Sequence, residues 1–283
     1  MRVATLTDGA KLVLAVERNG VWYDTRQSPQ DAVLSILSAD LQSREDYFGE
    51  DRVVPGNFIA TLPYRPLRNV MCLGKNYLAH AEEFARFNDD AEVVPKAPIV
   101  FTKAVAALCG PNEEITVEAS VAKELDYETE LAVIIGRSGS SIEASKAKDY
   151  IAGYSVINDI TARDLQALHA QWFLAKSLPS ASPFGPVIVT PDELEPRGEK
   201  VLRTWVNGEL RQEATLSEMI VGVEQAIETI SRIVPLEEGD VIAMGTPSGV
   251  AVSFSPPKYL QNGDKIVSEI EGIGVLRNTV VIY

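Results

Sequence analysis

The stretch Asp126–Ile135, DYETELAVII, narrows the possible folds more than any other part of the chain. Its second half is apolar and rich in β-branched residues, and Gly136 closes it, which is the pattern of a buried strand. Side chains on a strand alternate between faces, so Glu128 and Glu130 project from the same face. Two carboxylates held that close repel each other unless a cation or a proton lies between them. An acidic pair at the mouth of an apolar strand therefore sets a demand that other parts of the chain must meet.

Other strands are easy to place. Asn19-Gly20 lies between KLVLAVE and VWYDT, and Asn207-Gly208 follows TWV; both are strong signals for two-residue hairpin turns. Further strands are expected at 69–73, 98–101, 115–117, 151–159, 187–190, 241–244, 265–270 and 275–283. Helices are fewer: a short one opening at Ser28-Pro29, one over Tyr77–Phe87, one beginning at Thr161, and an amphipathic one starting at the capping box Thr215–Glu218. Strands and helices do not alternate regularly, which argues against a doubly wound sheet and for a β-rich mixed fold. Residues 43–66 are polar and carry four Gly or Pro residues (Pro55, Gly56, Pro63, Pro66), so they read as the end of a small N-terminal α+β domain at 1–66, with the main domain at 67–283.

Composition excludes several functions. A net charge of −14 disfavours nucleic acid and anionic membranes as partners. No apolar run approaches the roughly 18–20 residues that span a bilayer, and the N-terminus lacks the pattern of a signal peptide. The two cysteines, Cys72 and Cys109, make no disulfide framework and fit a cytoplasmic protein with reduced thiols. With two histidines in the chain, a His-rich zinc site is not expected.

Chemistry-bearing residues gather at strand ends. Asp159 ends the strand GYSVIND and joins Glu128 and Glu130 as a third acid. Three carboxylates suit a hard divalent ion such as Mg2+, Mn2+ or Ca2+ and leave room in its shell for water or a chelating substrate; equally, they fit solvated strand-end acids in an acidic protein. His80 and Glu83 share a helix face, either as an ordinary ion pair or as a dyad in which the carboxylate raises the basicity of the imidazole. Lys176 stands in a mostly uncharged Ser/Pro/Gly-rich loop, either as an exposed lysine or as an active-site cation. The acidic loop 88–97 is long enough to act as a lid. The loop GTPSGV (245–250) lacks the spacing and the lysine of a phosphate-binding loop, and reads as a turn or a substrate-lining segment.

Eight segments, in this order, resemble the fumarylacetoacetate hydrolase family: LGKNYLAHAEE (73–83), PIVFTK (98–103), DYETELAVIIGR (126–137), GYSVINDITARDLQ (153–166), AKS…PFGPVIVT (175–190), VNGE (206–209), LEEGDVIAMGTPSGV (236–250) and NGDKIVSEIEGIGVLRN (262–278). The resemblance implies a β-rich mixed α/β fold with strands rolled into a sandwich, usually assembled as a homodimer. It implies that Glu128, Glu130 and Asp159 bind Mg2+ or Mn2+. It further implies that His80 and Glu83 activate water on a segment that orders into a lid, and that Lys176 is the active-site lysine. Lys103, Arg163, Gln166 and Thr246 fall at substrate-pocket positions. The chain departs from the pattern after the lysine, where Ser177-Leu178-Pro179-Ser180 lacks the aspartate that many members carry.

The substrates implied are 2-keto or β-diketo acids, which can chelate a metal acting as a Lewis acid on an enolate. With the dyad present, the expected activity is hydrolysis of a C–C bond in a 2,4-diketo acid such as an acylpyruvate or fumarylpyruvate, with Lys176 stabilising the oxyanion. The alternative is decarboxylation of oxaloacetate, or isomerisation or hydration of an unsaturated 2-keto acid or diacid. A catalytically inactive binding protein is the remote third reading, and the presence of every acid and of the lysine speaks against it.

Overall fold

The computed structural model describes residues 1–29, 32–38, 41–88, 93–194 and 198–283, with the side chains of 41–42 and 86–88 left aside. Among these, two sheets carry the architecture. The larger has eleven strands, and its main path runs Val21–Asp24, Leu12–Arg18, Arg2–Thr7, Ser182–Val189, Ile151–Asn158, Thr129–Ile135, Val241–Ala243, Val70–Gly74, Ile99–Lys103. The smaller has five, in the order Glu209–Thr215, Val201–Val206, Lys265–Ile270, Gly274–Ile282, Glu114–Val117. Leu131 and Val133 from the large sheet pack in one apolar cluster with Leu202, Ile270 and Leu276 from the small one. The fold is thus a mixed α/β, β-rich sandwich, with helices at its margins.

The strand Thr129–Ile135 sits inside the large sheet and is buried along its whole length. That is why its sequence is a continuous apolar run: both faces are covered, so neither needs polar residues. Both Asn-Gly turns form as expected, with φ of 54° and 78° at Asn19-Gly20 and 51° and 82° at Asn207-Gly208; two consecutive positive φ values match the twist of the flanking strands.

The N-terminal strands extend the large sheet. Arg2–Thr7 pairs antiparallel with Ser182–Val189, and Met1, Val3, Leu14 and Val16 share a core cluster with Ala132, Ile134 and Phe184. The helices begin later than their sequence signals suggest. The capping box at Thr215 and Glu218 is present, but it closes a single 3-10 turn; the apolar helix itself spans Val223–Ser231 behind Gly222. Thr161–Ala162 forms a short strand pair with Leu125–Asp126 before the helix Arg163–Leu168. The helix expected from Tyr77 spans Leu78–Asn88. The one opened by Ser28 begins at Val33, and Asp31, expected in its first turn, lies outside the described residues.

Register places the site. Thr129 pairs with Asn158, so Glu128 and Asp159 meet at the ends of adjacent antiparallel strands, and Asp159 N–H donates to the Glu128 carbonyl at 2.7 Å. On the other side Ala132 pairs with Ala243, which brings Gly245 and Thr246 past Glu130. Val70–Gly74 runs parallel to Val241–Ala243 and delivers Lys75 to the same edge of the sheet.

Candidate active site

Glu128, Glu130 and Asp159 are all buried, and each offers a carboxylate oxygen within 4.8 Å of the others. Cations surround two of them. Lys176 Nζ donates to Glu128 Oε2 at 2.6 Å and to Asp159 Oδ2 at 2.7 Å. Lys103 Nζ reaches the other Asp159 oxygen at 2.6 Å, and the Ile160 carbonyl at 3.1 Å. Arg163 donates to Glu128 Oε1 through Nη2, to Asp126 Oδ2 through Nε at 2.8 Å, and to Gln166 Oε1 through Nη1 at 2.8 Å. Among the described residues no cationic side chain pairs with Glu130; its Oε2 accepts the Gly245 N–H at 2.7 Å.

This imbalance sets the proton affinities. Burial, followed by the negative charges of Asp159 and Glu128, pushes the Glu130 carboxyl well above its ordinary range. Burial also raises Glu128, but Lys176 and then Arg163 outweigh it and bring its pKa below the ordinary value. Burial would lower Lys176, yet Asp159 and Glu128 more than offset this and raise it. Lys176 is therefore a permanent positive charge and a poor proton donor.

The donor set fits a divalent cation. It consists of hard carboxylate oxygens, converging and buried, and one of them binds a proton for want of positive charge. No disulfide or thiolate chemistry competes there: Cys72 behind the cluster is buried, and burial with the nearby Asp159 and Glu130 pushes its thiol well up.

The cleft above the cluster is about 330 Å3 and is lined by His80, Glu128, Glu130, Arg163, Gln166, Lys176 and Thr246 from the sequence-expected set. Asp159 and Lys103 lie beneath these residues, joined to them through Lys176. Thr246 donates to the Thr129 carbonyl at 3.0 Å and accepts from Gln212 at 2.8 Å, so its hydroxyl is fixed by the small sheet. His80 is buried, and its Nδ1 has no hydrogen-bond partner among the described residues. Glu83 Oε2 lies 3.7 Å from that nitrogen, beyond hydrogen-bond reach, and both Glu83 oxygens accept the Gly249 N–H at 3.1 Å. Gly249 is required there: its φ is +94°, and a Cβ would stand 2.0 Å from the Arg211 carbonyl oxygen. Residues 89–92 of the expected lid lie outside the described residues.

Sequence reasoning left several residues unassigned. Lys75, Phe84, Phe101 and Trp172 line the same cleft. The Trp172 ring packs on Phe101 and Phe84, with centroids 5.2 Å and 5.9 Å away, and comes so near Gly74 that a Cβ there would meet it at 2.8 Å. Asp126 holds Arg163 and accepts the backbone N–H groups of Ala251 and Val252 at 2.6 Å and 3.1 Å. The acidity of the opening strand pointed to Asp126, but nothing in the sequence told a ligand from the residue that positions Arg163.

Residues 69–281 match the family described as fumarylacetoacetate (FAA) hydrolase, C-terminal. The chain belongs to the fumarylacetoacetate hydrolase family. Within it, the oxaloacetate tautomerase YisK of Bacillus subtilis strain 168 is 45% identical over 216 residues, 76% of this chain and 70% of that protein. A solved fumarylacetoacetate hydrolase from the psychrophile Exiguobacterium antarcticum is 40% identical and superposes with a TM-score of 0.85, covering 100% of both chains. A 5-carboxymethyl-2-hydroxymuconate delta-isomerase from Mycobacterium smegmatis is 31% identical with a TM-score of 0.79, again over 100% of both chains. This chain is accordingly an enzyme of the fumarylacetoacetate hydrolase family with a cluster able to hold a divalent ion. Among the described residues, no helix is long and apolar enough to cross a membrane.

Proposed function

We propose that this protein interconverts tautomers or double-bond isomers of a 2-oxo dicarboxylic acid, with oxaloacetate as the first candidate. The observation that carries this reading is the pairing, in one small cleft, of a buried three-carboxylate cluster with a histidine nitrogen that has no hydrogen-bond partner among the described residues. Enolisation needs those two parts and little else: a fixed electrophilic centre for the 2-oxo acid group and a group that moves a proton from the adjacent carbon. A divalent ion held by Glu128, Glu130 and Asp159 would supply Lewis-acid stabilisation of charge developing on the oxo oxygen.

The chain's own residues divide the remaining work. His80 takes the proton from the carbon beside the oxo group and returns it to oxygen, or to a more distant carbon of a conjugated chain. Lys176, kept protonated by Asp159 and Glu128, stabilises the negative charge without giving up its proton. Arg163 and Gln166 orient the acid, and Thr246 and Lys103 hold the ligand cluster in place. On the same reading Mg2+ or Mn2+ is the resident ion, residues 1–66 form an accessory unit, and the protein works as a cytoplasmic homodimer.

Hydrolysis, the first expectation from the sequence, makes a further demand: a water activated by the His80/Glu83 dyad. Here Glu83 is engaged by Gly249, 3.7 Å from His80. The relatives named as a tautomerase and a delta-isomerase also lend support to proton transfer. The test is the enol absorbance of freshly dissolved oxaloacetate, followed with Mg2+ and with EDTA. Metal-dependent acceleration of the enol–keto exchange is expected. Release of pyruvate and CO2 at the same rate would replace this reading with decarboxylation, and rapid cleavage of acetylpyruvate into pyruvate and acetate would restore hydrolysis.

A further inference from the structure

We infer that Lys75 selects a dicarboxylic substrate by binding the carboxylate remote from the 2-oxo acid group; the inference rests on the tautomerase or isomerase reading above.

A 2-oxo diacid brings two carboxylates into the cleft. One, with the oxo oxygen, belongs at the ligand cluster, so the other needs a cation of its own. Three of the cations around the cluster are engaged with its acids: Lys103 with Asp159, Lys176 with Glu128 and Asp159, and Arg163 with Asp126 and Glu128. Their charge compensates the protein's own carboxylates. Lys75 adds positive charge to the same cleft from a different element, the end of the strand Val70–Gly74.

Its presentation is unusual. Lys75 has φ of +54°, and it is the only non-glycine residue of positive φ among those that line the cleft. An unbranched side chain adopts that region at a cost, and such residues cluster at functional sites. The next residue keeps it there: Asn76 donates to the Met244 and Val221 carbonyls at 2.7 Å and 3.0 Å and accepts the Val221 N–H at 2.7 Å. The left-handed turn thus directs a buried lysine into the cleft, with its ammonium 4.7 Å from the centre of the Phe84 ring. The aromatic face partly compensates the ammonium for lost water while leaving its N–H donors suited to an anion.

The experiment compares wild type, Lys75→Gln and Lys75→Arg, all loaded with Mg2+. KM and kcat are measured for oxaloacetate, and the competitive inhibition constant for pyruvate, a 2-oxo acid with no second carboxylate. Losing a charge-assisted hydrogen bond should raise the oxaloacetate KM of Lys75→Gln by about 10- to 100-fold, with kcat changed by less than about threefold. The pyruvate constant should stay within about twofold, showing an intact site, and Lys75→Arg should recover most of the lost affinity. An unchanged oxaloacetate KM in Lys75→Gln, or equal weakening of oxaloacetate and pyruvate, would overturn the inference. If wild type binds oxaloacetate in preference to pyruvate without tautomerising it, and Lys75→Gln loses that preference, the function fails and the role of Lys75 stands.

Discussion

Replacing Glu130 with glutamine separates the cost of the carboxylate cluster from its use. Without a bound ion, burial and the charges of Asp159 and Glu128 hold the Glu130 carboxyl well above its ordinary range. Above the ordinary value of about 4.3 the unfolded chain has released this proton while the folded chain keeps it. Folding then takes up a proton, so stability falls with rising pH by about 1.36 kcal/mol per pH unit, until the pH passes the folded-state pKa and the penalty becomes constant. Glutamine has no proton to lose, so Glu130→Gln lacks this slope. The unfolding entropy of a chain of 283 residues is about 0.6 kcal/mol/K, so in EDTA the variant's melting temperature should gain on wild type by about 2 °C per pH unit. Mg2+ should reverse the order, because wild type offers the ion three carboxylates and the variant two. Scanning calorimetry from about pH 5 to about pH 7, with chelator and with Mg2+, reads both effects. Parallel melting profiles in EDTA would show that Glu130 is not held protonated by its neighbours, and the electrostatic account of the cluster would fall with it.

His80→Ala should lower kcat for oxaloacetate tautomerisation by about 100- to 10,000-fold while leaving pyruvate inhibition near wild type; a kcat within a few-fold of wild type would remove His80 from the proton-transfer role. Asp126→Asn puts amide N–H groups against the donors Arg163 Nε, Ala251 N and Val252 N, and leaves Arg163 short of a counter-charge. Breaking a buried pair costs about 3–5 kcal/mol, so a melting temperature lower by about 5–8 °C is expected, and no shift would mean that Arg163 is held by Glu128 alone. Gly249→Ala forces the loop away from the Arg211 carbonyl and with it the N–H that Glu83 accepts; the melting temperature should drop by about 2 °C or more and kcat should fall with it, both read on the Mg2+-loaded enzyme.

The parts of this molecule legible in sequence are those where a local pattern has a single structural meaning. A fully apolar run between Glu130 and Gly136 can only be a doubly covered strand, and Asn-Gly between alternating segments can only be a tight hairpin. Glu128 and Glu130 share a face because a strand repeats every second residue, and the structure brings Asp159 to them because Thr129 pairs with Asn158. That register is a long-range fact with no local signature, so resemblance to a family had to supply it. The roles of Lys103 and Asp126 were hidden for the same reason. A buried lysine under Asp159 and a buried aspartate beside Arg163 look, in sequence, like any charged residue at a strand end. Lys75 was hidden differently: nothing in Leu73-Gly74-Lys75-Asn76 announces that the lysine, and not a neighbouring glycine, takes the left-handed conformation. The helix starts were misplaced because capping signals at Ser28 and Thr215 mark turns as readily as helices.

Beneath the ligand cluster runs a seam of polar side chains joining the two sheets. Thr129 donates to Ser268 at 2.7 Å, Thr204 contacts Thr129 and Gln212 at 2.7 Å and 2.8 Å, and Asn158 accepts the Glu128 N–H at 2.9 Å. Each partner lies far away in the chain, so one substitution strands several buried groups at once. Residues that face the substrate, such as Lys75, Phe84, Gln166 and Trp172, lie outside this seam. The molecule is therefore divided into a part that resists change and a part that can drift without unseating the cluster. Such a division lets proteins named as a tautomerase, a hydrolase and an isomerase descend from one scaffold, differing at the rim and agreeing at the root.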